Sequence, residues 1–344
     1  MAKVIYIIST GKDSGKSVVS IALIELLKQK YKVAYMKPIA ERKVKIGEKY
    51  FSEDAFLMKS IFNFDYDLEL MSPFVIPSGF TSKYIKGEEN SPEEKIYKAF
   101  ERISKECDVL IVEASGHTGV GSVFDLSNAK ICKLFKAIPF IVAQAGVGDT
   151  IDSLTLNISL LEKFGIKNPF IIVNKIKKEK YEKIKNILTE GFKKRKWRAF
   201  AFLPFEEELA FPEMKKLLST IEAKRLNEAK INFSRFSKFI MVGTDVNEFF
   251  DNLKESRGNI VVISSGDRMD IIMGLAGYFA IEKIPLNLLL LLTPPYPNPT
   301  TLRFIKKLPF PVFFSNKKIE NIIHQLKCEE VKLSPFEATR VEII

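Results

Sequence analysis

Along the first 205 residues, short unbroken runs of Val, Ile, Leu and Phe alternate with longer segments whose apolar residues recur every three or four positions. Runs without polar alternation mark strands buried on both faces, and the amphipathic segments between them mark covering helices. The pattern predicts strands at 3–9, 32–36, 109–113, 140–143, 170–174 and 199–203. Helices are expected near 16–30, 52–62, 91–105, 125–136, 150–163 and 177–193. Alternation of this kind belongs to the α/β class, a parallel sheet with helices on both faces. A polar stretch over 222–236 reads as a linker, after which the alternation restarts. Strands near 238–243, 259–264, 286–292 and 310–314 then interleave with helices near 246–256, 267–281, 299–308 and 317–327. Two units are expected, a larger one over 1–222 and a smaller α/β one over 236–344.

Composition adds little to this picture. A chain of 344 residues is long enough for two domains of about 150 residues each. With 46% hydrophobic and 28% charged residues it has material for packed cores and no compositional reason for disorder. No apolar run approaches the roughly 20 residues that span a bilayer as a helix, so no membrane partner is expected. The opening MAKVIYIIS reads as a strand and not as a signal peptide, which points to the cytoplasm. Cys107, Cys132 and Cys328 are odd in number and scattered, as packing residues are.

The net charge of +11 concentrates at KIKKEKYEKIKNIL (175–188) and KKRKW (193–197). There Ile176, Tyr181, Ile184 and Ile187/Leu188 share one helical face while Lys and Glu take the other. That is a solvated surface helix, and nucleic acid is not an expected partner. His324, on KKIENIIHQLK, reads as a surface residue of another such helix.

Chemistry enters at IYIISTGKDSGKSVVSIALIELL, which orders a buried strand, a small polar loop and a helix. In a phosphate-binding loop, backbone N–H groups and the helix N-terminus meet the phosphates, a lysine neutralises the β and γ oxygens, and a hydroxyl residue ligates magnesium. Thr10, Gly11, Lys12, Asp13, Ser14 and Gly15 would form the loop, Lys16 would take the lysine role and Ser17 the hydroxyl role. The glycine expected five residues before Gly15 is replaced by Thr10, with Gly11 one position later. DVLIVEASG (108–116) ends a buried strand on Glu113, a carboxylate placed to hold magnesium or orient water. Lys37, in VAYMKPIA (33–40), lies at the carboxyl edge of the sheet, where ligands of open α/β sheets bind. Asp54 in FSEDAFLMKS opens the next helix, a position that the helix dipole alone also favours for a carboxylate.

TGKDSGKS, MKPIA, SEDAF and IVEASG, in this order, resemble the dethiobiotin synthetase-like branch of P-loop proteins, which includes cobyrinic acid diamide synthases. The resemblance covers about residues 1–215. It implies ATP and Mg2+ as cofactors, catalytic roles for Lys16, Lys37 and Glu113, and a metal site of Ser17, Asp54 and Glu113. It also implies that Asn174, in VNK (173–175), reads the base, that Pro204 in LPFEEELAFP (203–212) flanks it, and that two subunits pair with their nucleotide sites near the interface. From the residues alone, Asn174 is equally a turn residue.

Glu41-Arg42 follow Ala40 where that synthetase places a small hydroxyl residue and glycine, so a substrate other than the synthetase's is expected. The turn ASGHTGVGSVFDLSNA resembles the synthetase-like module at the N-terminus of some phosphate acetyltransferases. Glu41, His117, Thr118 and Ser122 are therefore candidate substrate contacts, with His117 equally readable as a turn residue bonded to backbone. NIVVISSGDRMDIIMGLAGY (259–278) resembles the core of a DRTGG domain, the partner module in those acetyltransferases. There Asp267 reads as a helix N-cap and Arg268 as a surface residue, or the pair as a ligand or interface contact. The chain has no room for the acetyltransferase catalytic domain, and acetyl transfer is not expected. Two functions remain open at this point: ATP-dependent activation of an unidentified small-molecule carboxylate for ligation, and nucleotide sensing without catalysis.

Overall fold

The computed structural model describes residues 2–206, 209, 214–233, 235–243, 245–256, 258–281 and 287–328. The chain divides into two compact units, the first ending at Phe205 and the second starting at Glu206.

The first unit opens with β1 (Lys3–Ser9), α1 (Lys16–Leu27) and β2 (Val33–Met36). A small insertion follows, made of β3 (Ile39–Ala40), β4 (Lys43–Ile46), β5 (Lys49–Ser52), α2 (Glu53–Phe62), α3 (Leu68–Met71), β6 (Phe74–Val75) and α4 (Phe80–Ile85). The chain then returns through α5 (Glu93–Lys105), β7 (Val109–Glu113), α6 (Asn128–Leu134), β8 (Ile138–Gln144), α7 (Gly148–Lys163), β9 (Phe170–Ile176), α8 (Tyr181–Arg195) and β10 (Arg198–Pro204). Six strands form one sheet in the order β10-β9-β8-β1-β7-β2, and every pairing is parallel.

Period-two alternation sends successive side chains to opposite faces. Tyr6, Ile8, Leu110 and Val112 meet α5, α6, α7 and α8 on one side; Ile7, Tyr35 and Ile111 meet α1 and α2 on the other. Both faces are dry, which is why the strands read as continuous Val/Ile runs. The basic helix α8 buries Leu188 and Phe192, with Tyr181 and Ile184 packed against the core. Ile187, grouped with that face on sequence, is instead 42% exposed, because one helical step of about 100° carries it past the edge of the apolar stripe. Cys132 is buried and Cys107 partly so, both as free thiols.

The insertion was not foreseen beyond α2. Its strands have only two to four residues and β4 is largely exposed, so no apolar run announces them. The antiparallel pairing of β4 with β5 matches Lys43 to Ser52 around a turn with Gly47 at φ 61°. Ser52 then caps α2 by accepting a hydrogen bond from Ala55 N at 3.2 Å, and Asn63 ends the helix in the left-handed region.

The second unit runs α9 (Met214–Thr220), β11 (Lys224–Arg225), β12 (Lys238–Met241), α10 (Val246–Glu255), β13 (Asn259–Ser265), α11 (Met269–Ile281), β14 (Asn287–Thr293), α12 (Pro299–Ile305), β15 (Val312–Phe314) and α13 (Ile319–Cys328). Its five-stranded sheet has the order β11-β15-β14-β13-β12, parallel except for β11. Residues of α10, α11 and α12 pack on the face of Ile260, Val262 and Leu290, while α9 and the start of α13 pack on the face of Val261, Ile263 and Leu289.

Two expectations fail here. The second unit begins before residue 222, since Met214, Leu217 and Ile221 belong to its core. The stretch 222–236 is no linker: β11 pairs with β15, Phe236 is 1% exposed, and Asn227 ties the sheet to a loop. Asn227 Nδ2 donates to the carbonyls of Ile305 (3.2 Å) and Phe310 (2.9 Å), and its Oδ1 accepts from Val312 N at 3.0 Å. Polar composition misled because one buried Asn, fully hydrogen-bonded, does the work that an apolar run would do.

The side chains of His324 and Cys328 and most of the 203–212 loop beyond Glu206 lie outside the described residues. Among the described residues no helix is long and apolar enough to cross a membrane.

Candidate functional site

The loop between β1 and α1 turns on Gly15, whose φ of 91° only glycine adopts without strain. A Cβ there would stand 2.2 Å from Asn174 Nδ2, which donates to Ser14 O at 2.9 Å. Gly11 has open space around it, so the shifted glycine is not forced by packing. Ser14 Oγ donates to Gly11 O at 3.0 Å and Ser9 Oγ to the same carbonyl at 2.6 Å, closing the loop on itself. Lys16 Nζ donates to Ser9 Oγ at 3.0 Å. Thr10 and Gly11 are half-buried, Lys12 and Asp13 exposed. Gln144 Nε2, at the end of β8, holds Asp13 O at 3.2 Å.

Three elements then bring a cation and two carboxylates together beside α1. Lys37, just past β2, is 4% exposed and contacts Asp54 Oδ2 of α2 at 2.8 Å and Glu113 Oε1 of β7 at 3.4 Å. It also donates to Ala114 O at 3.2 Å. Burial acts to lower the pKa of the Lys37 ammonium, but the charges of Asp54 and then Glu113 outweigh it, and the net direction is upward. Glu113 is 1% exposed and accepts from Ser17 Oγ (2.9 Å), Ser20 Oγ (2.8 Å) and Tyr35 Oη (3.3 Å) besides Lys37. A buried carboxylate survives only when so compensated. Tyr35 is held well above its usual range by burial and by the neighbouring Glu113 and Asp54 charges.

Sequence reasoning named Lys37, Asp54, Glu113, Lys16 and Ser17, and the structure joins Lys37, Asp54, Glu113 and Ser17 in one cluster. It missed Tyr35, Ser20 and Ser9. Ser20 lies one helical turn after Lys16, a spacing that places it on the Glu113 side of α1; Tyr35, inside an apolar strand, gave no signal.

The turn after β7 divides differently. His117 is exposed and its Nδ1 accepts from Gly119 N at 3.2 Å, a backbone-bonded turn residue. Thr118 is buried, with its N–H and its hydroxyl both donating to Asn157 Oδ1 at 2.9 Å. Ser122 Oγ donates to Gly119 O at 2.7 Å. Gly121, at φ 93°, is forced by Leu126 O, 2.2 Å from where a Cβ would stand. The hydroxyls of this turn hold its own shape. Glu41 is exposed where β3 gives way to the β4–β5 hairpin.

At the far end of the loop, Asn174 is 7% exposed at the carboxyl edge of β9, with its Oδ1 bound to the N–H of Lys175. Burial lowers the pKa of Lys175, and nearby Asp13 opposes the shift. Pro204 ends β10, which pairs with β9 at Ile176.

A glycine-turned loop between a buried strand and a helix, ending in Lys-Ser and facing a strand-end carboxylate, defines a P-loop nucleotide-binding protein. Residues 3–213 match the family described as "AAA domain" and residues 216–326 match the DRTGG domain. The chain belongs to that P-loop family, in its dethiobiotin synthetase-like form, followed by a DRTGG domain. It is 29% identical over 189 residues to the ATP-dependent dethiobiotin synthetase BioD of Clostridium kluyveri, covering 52% of this chain and 77% of that one. A phosphate acetyltransferase of Synechocystis is 23% identical over 317 residues, covering 90% of this chain and 44% of that protein. Among solved structures, a plasmid partition protein from Borrelia burgdorferi aligns with a TM-score of 0.38 at 17% identity, covering 60% of this chain and 91% of that one.

Proposed function

We propose that the first unit binds ATP with magnesium and transfers the γ-phosphoryl group to a carboxylate of a small substrate held near Lys37. The reading is supported above all by the buried Lys37–Asp54–Glu113 cluster, built against the P-loop helix at Ser17. Ser17 Oγ and the carboxylates of Asp54 and Glu113 are hard oxygen donors of the kind magnesium takes. Magnesium, when bound, neutralises charge on the β and γ oxygens.

The protein's part is positioning and charge. Lys16 leaves Ser9 for the phosphates, and Gly15 lets the backbone approach them. The substrate carboxylate oxygen bonds to the γ-phosphorus as the bond to the β–γ bridging oxygen breaks, and ADP leaves with that oxygen. The attacking group is already deprotonated, so no general base is needed. Lys37, cationic at neutral pH, offsets the negative charge of the approaching carboxylate. Asn174 is assigned to the base, on the BioD likeness. A homodimer is part of this reading and is checked by light scattering on the purified protein.

The test is ADP release from ATP and magnesium with panels of dicarboxylates, amino acids and acetyl-group metabolites. Lys37→Ala is expected to lower substrate-stimulated turnover by about 10²–10³-fold, as for loss of one transition-state charge contact, with nucleotide binding retained. Tight binding with no substrate-stimulated turnover refutes the reading. That outcome supports a second one, nucleotide sensing. It is favoured by the alignment over 90% of this chain with less than half of the acetyltransferase.

A further inference from the structure

In the second unit, a cavity of about 350 Å³ opens at the carboxyl edge of the parallel sheet, where β13 and β14 end. Its wall includes Ser264, Thr293, Asp267, Arg268, Lys318 and Glu320. The connection after β13 enters α11 on one face of the sheet, and the connection after β15 enters α13 on the other. The cavity lies at this parting of the chain, the crevice in which open α/β sheets bind ligands. Gly266 keeps it tight: a Cβ there would stand 2.2 Å from Pro295 O.

Three observations set the chemistry. Ser264, 2% exposed on the cavity wall, has a hydroxyl without a hydrogen-bond partner among the described residues. A buried hydroxyl left unpaired costs about 1–3 kcal/mol, a cost that a bound polar group removes. Arg268 is fixed in place by Gly243 O at 2.9 Å and by Asp270, and Lys318 adds a second cation beside the cavity. The helices α11 and α13, of 13 and 10 residues, both start at this wall, so their positive ends converge on it. Asp270 balances Arg268, and Asp267, engaged by Ser265 Oγ, and Glu320 outweigh Lys318 by one charge. The two helix ends, worth roughly half a positive charge each, offset that excess, so the free N–H groups at the helix starts are what favour an oxyanion there. The volume suits a ligand of metabolite size.

We propose that this cavity is a second ligand site, separate from the P-loop, that takes a small oxyanion-bearing metabolite, either a phosphate ester or a dicarboxylate. The oxyanion sits between the starts of α11 and α13 with Arg268 and Lys318, the Ser264 hydroxyl donates to it, and ligand hydroxyls reach Asp267 or Glu320. This does not depend on the activity proposed for the first unit.

The test is calorimetric titration of the full chain with inorganic phosphate, glycerol 3-phosphate and malate. Each is repeated on Lys16→Ala protein, so that phosphate binding at the P-loop is told apart. Binding that survives Lys16→Ala and weakens about 10-fold in Arg268→Ala, the loss of one charge-assisted hydrogen bond, supports the site. Lys318→Gln is expected to weaken it less, and Ser264→Val, which removes the hydroxyl donor, to weaken it about as much as Arg268→Ala. Preference for glycerol 3-phosphate or for malate decides between the two sources. If Arg268→Ala does not fold, as judged by circular dichroism, the Lys318→Gln and Ser264→Val pair decides. No heat with any of the three probes in the Lys16→Ala protein, or unchanged affinity in the cavity variants, overturns the proposal.

Discussion

Replacing Lys37 by Met tests whether the central ion cluster is the mutually compensated group that the geometry describes. Met fills much of the lysine's volume, so the loss is chiefly charge and hydrogen bonding. Removing one member of a buried pair costs about 3–5 kcal/mol, because the partner charge stays buried. Two features place the expected loss near about 3 kcal/mol, the lower end of that range. Glu113 keeps its hydrogen bonds from Ser17, Ser20 and Tyr35, and the Asp54 side chain, 21% exposed, can rehydrate.

Trp197 is the sole tryptophan of the chain and packs against Phe192 in the first unit, with ring centroids 5.8 Å apart. Its fluorescence during urea or thermal unfolding therefore follows that unit alone. About 3 kcal/mol corresponds to a Tm fall of about 6–12 °C for a unit of this size. The pH dependence carries a definite sign. The folded-state pKa of Lys37 is raised, so its stabilisation is fully present below the unfolded lysine value of about 10.4 and is lost as pH rises through the folded value. The gap between wild type and Lys37→Met is thus flat from neutral pH to about pH 10 and narrows above it. The double variant Lys37→Met/Glu113→Gln, which removes the buried Glu113 charge as well and leaves only the part-exposed Asp54, regains at least about 1 kcal/mol. A single-variant loss below about 1 kcal/mol, well short of the buried-pair range, or no regain in the double variant, would refute the reasoning.

Three further outcomes follow from single residues. Gly15→Ala must hold a side chain at φ 91° and displace Asn174 from Ser14 O; a loss of about 1–3 kcal/mol by Trp197 fluorescence, with nucleotide affinity lost, is expected. Asn227→Ala strips partners from Phe310 O and Val312 N and is expected to cost about 2–4 kcal/mol, read as faster amide exchange in β14 and β15 with the β1 and β7 amides unchanged. Burial pushes the Cys132 thiol up to about 12 and the Cys107 thiol up to about 11. In Cys328→Ser protein at pH 8, labelling by a thiol reagent is therefore expected to proceed at the unfolding rate for Cys132, and fast labelling there would contradict its burial.

Much of the architecture was legible in the chain. The strands of both parallel sheets announce themselves because burial on both faces demands unbroken apolar runs, and the covering helices because one face of each must be apolar. The phosphate loop was legible for the same reason: strand, loop and helix are consecutive, so the residues that act together are neighbours in sequence. The departure at Thr10 and Gly11 meets no packing constraint, since Gly11 has open space around it, whereas Gly15 is constrained by its backbone angle and by Asn174.

What the tertiary structure alone decided is everything that depends on residues far apart in sequence meeting. Lys37, Asp54 and Glu113 come from the ends of β2 and β7 and the start of α2; the motifs named them as candidates, but the direct contacts of Lys37 with both carboxylates follow only from the strand order and the seat of α2. That Tyr35 and Ser20 complete the shell of Glu113 follows from sheet register and the seat of α1 on the sheet, which pattern does not encode. Asn227 shows the opposite failure, a polar residue in a polar stretch that proves to be a buried strut, because hydrogen bonding to carbonyls far along the chain can replace hydrophobicity. The oxyanion cavity exists only because two helices start on opposite faces of one sheet edge, a geometry that no local segment contains.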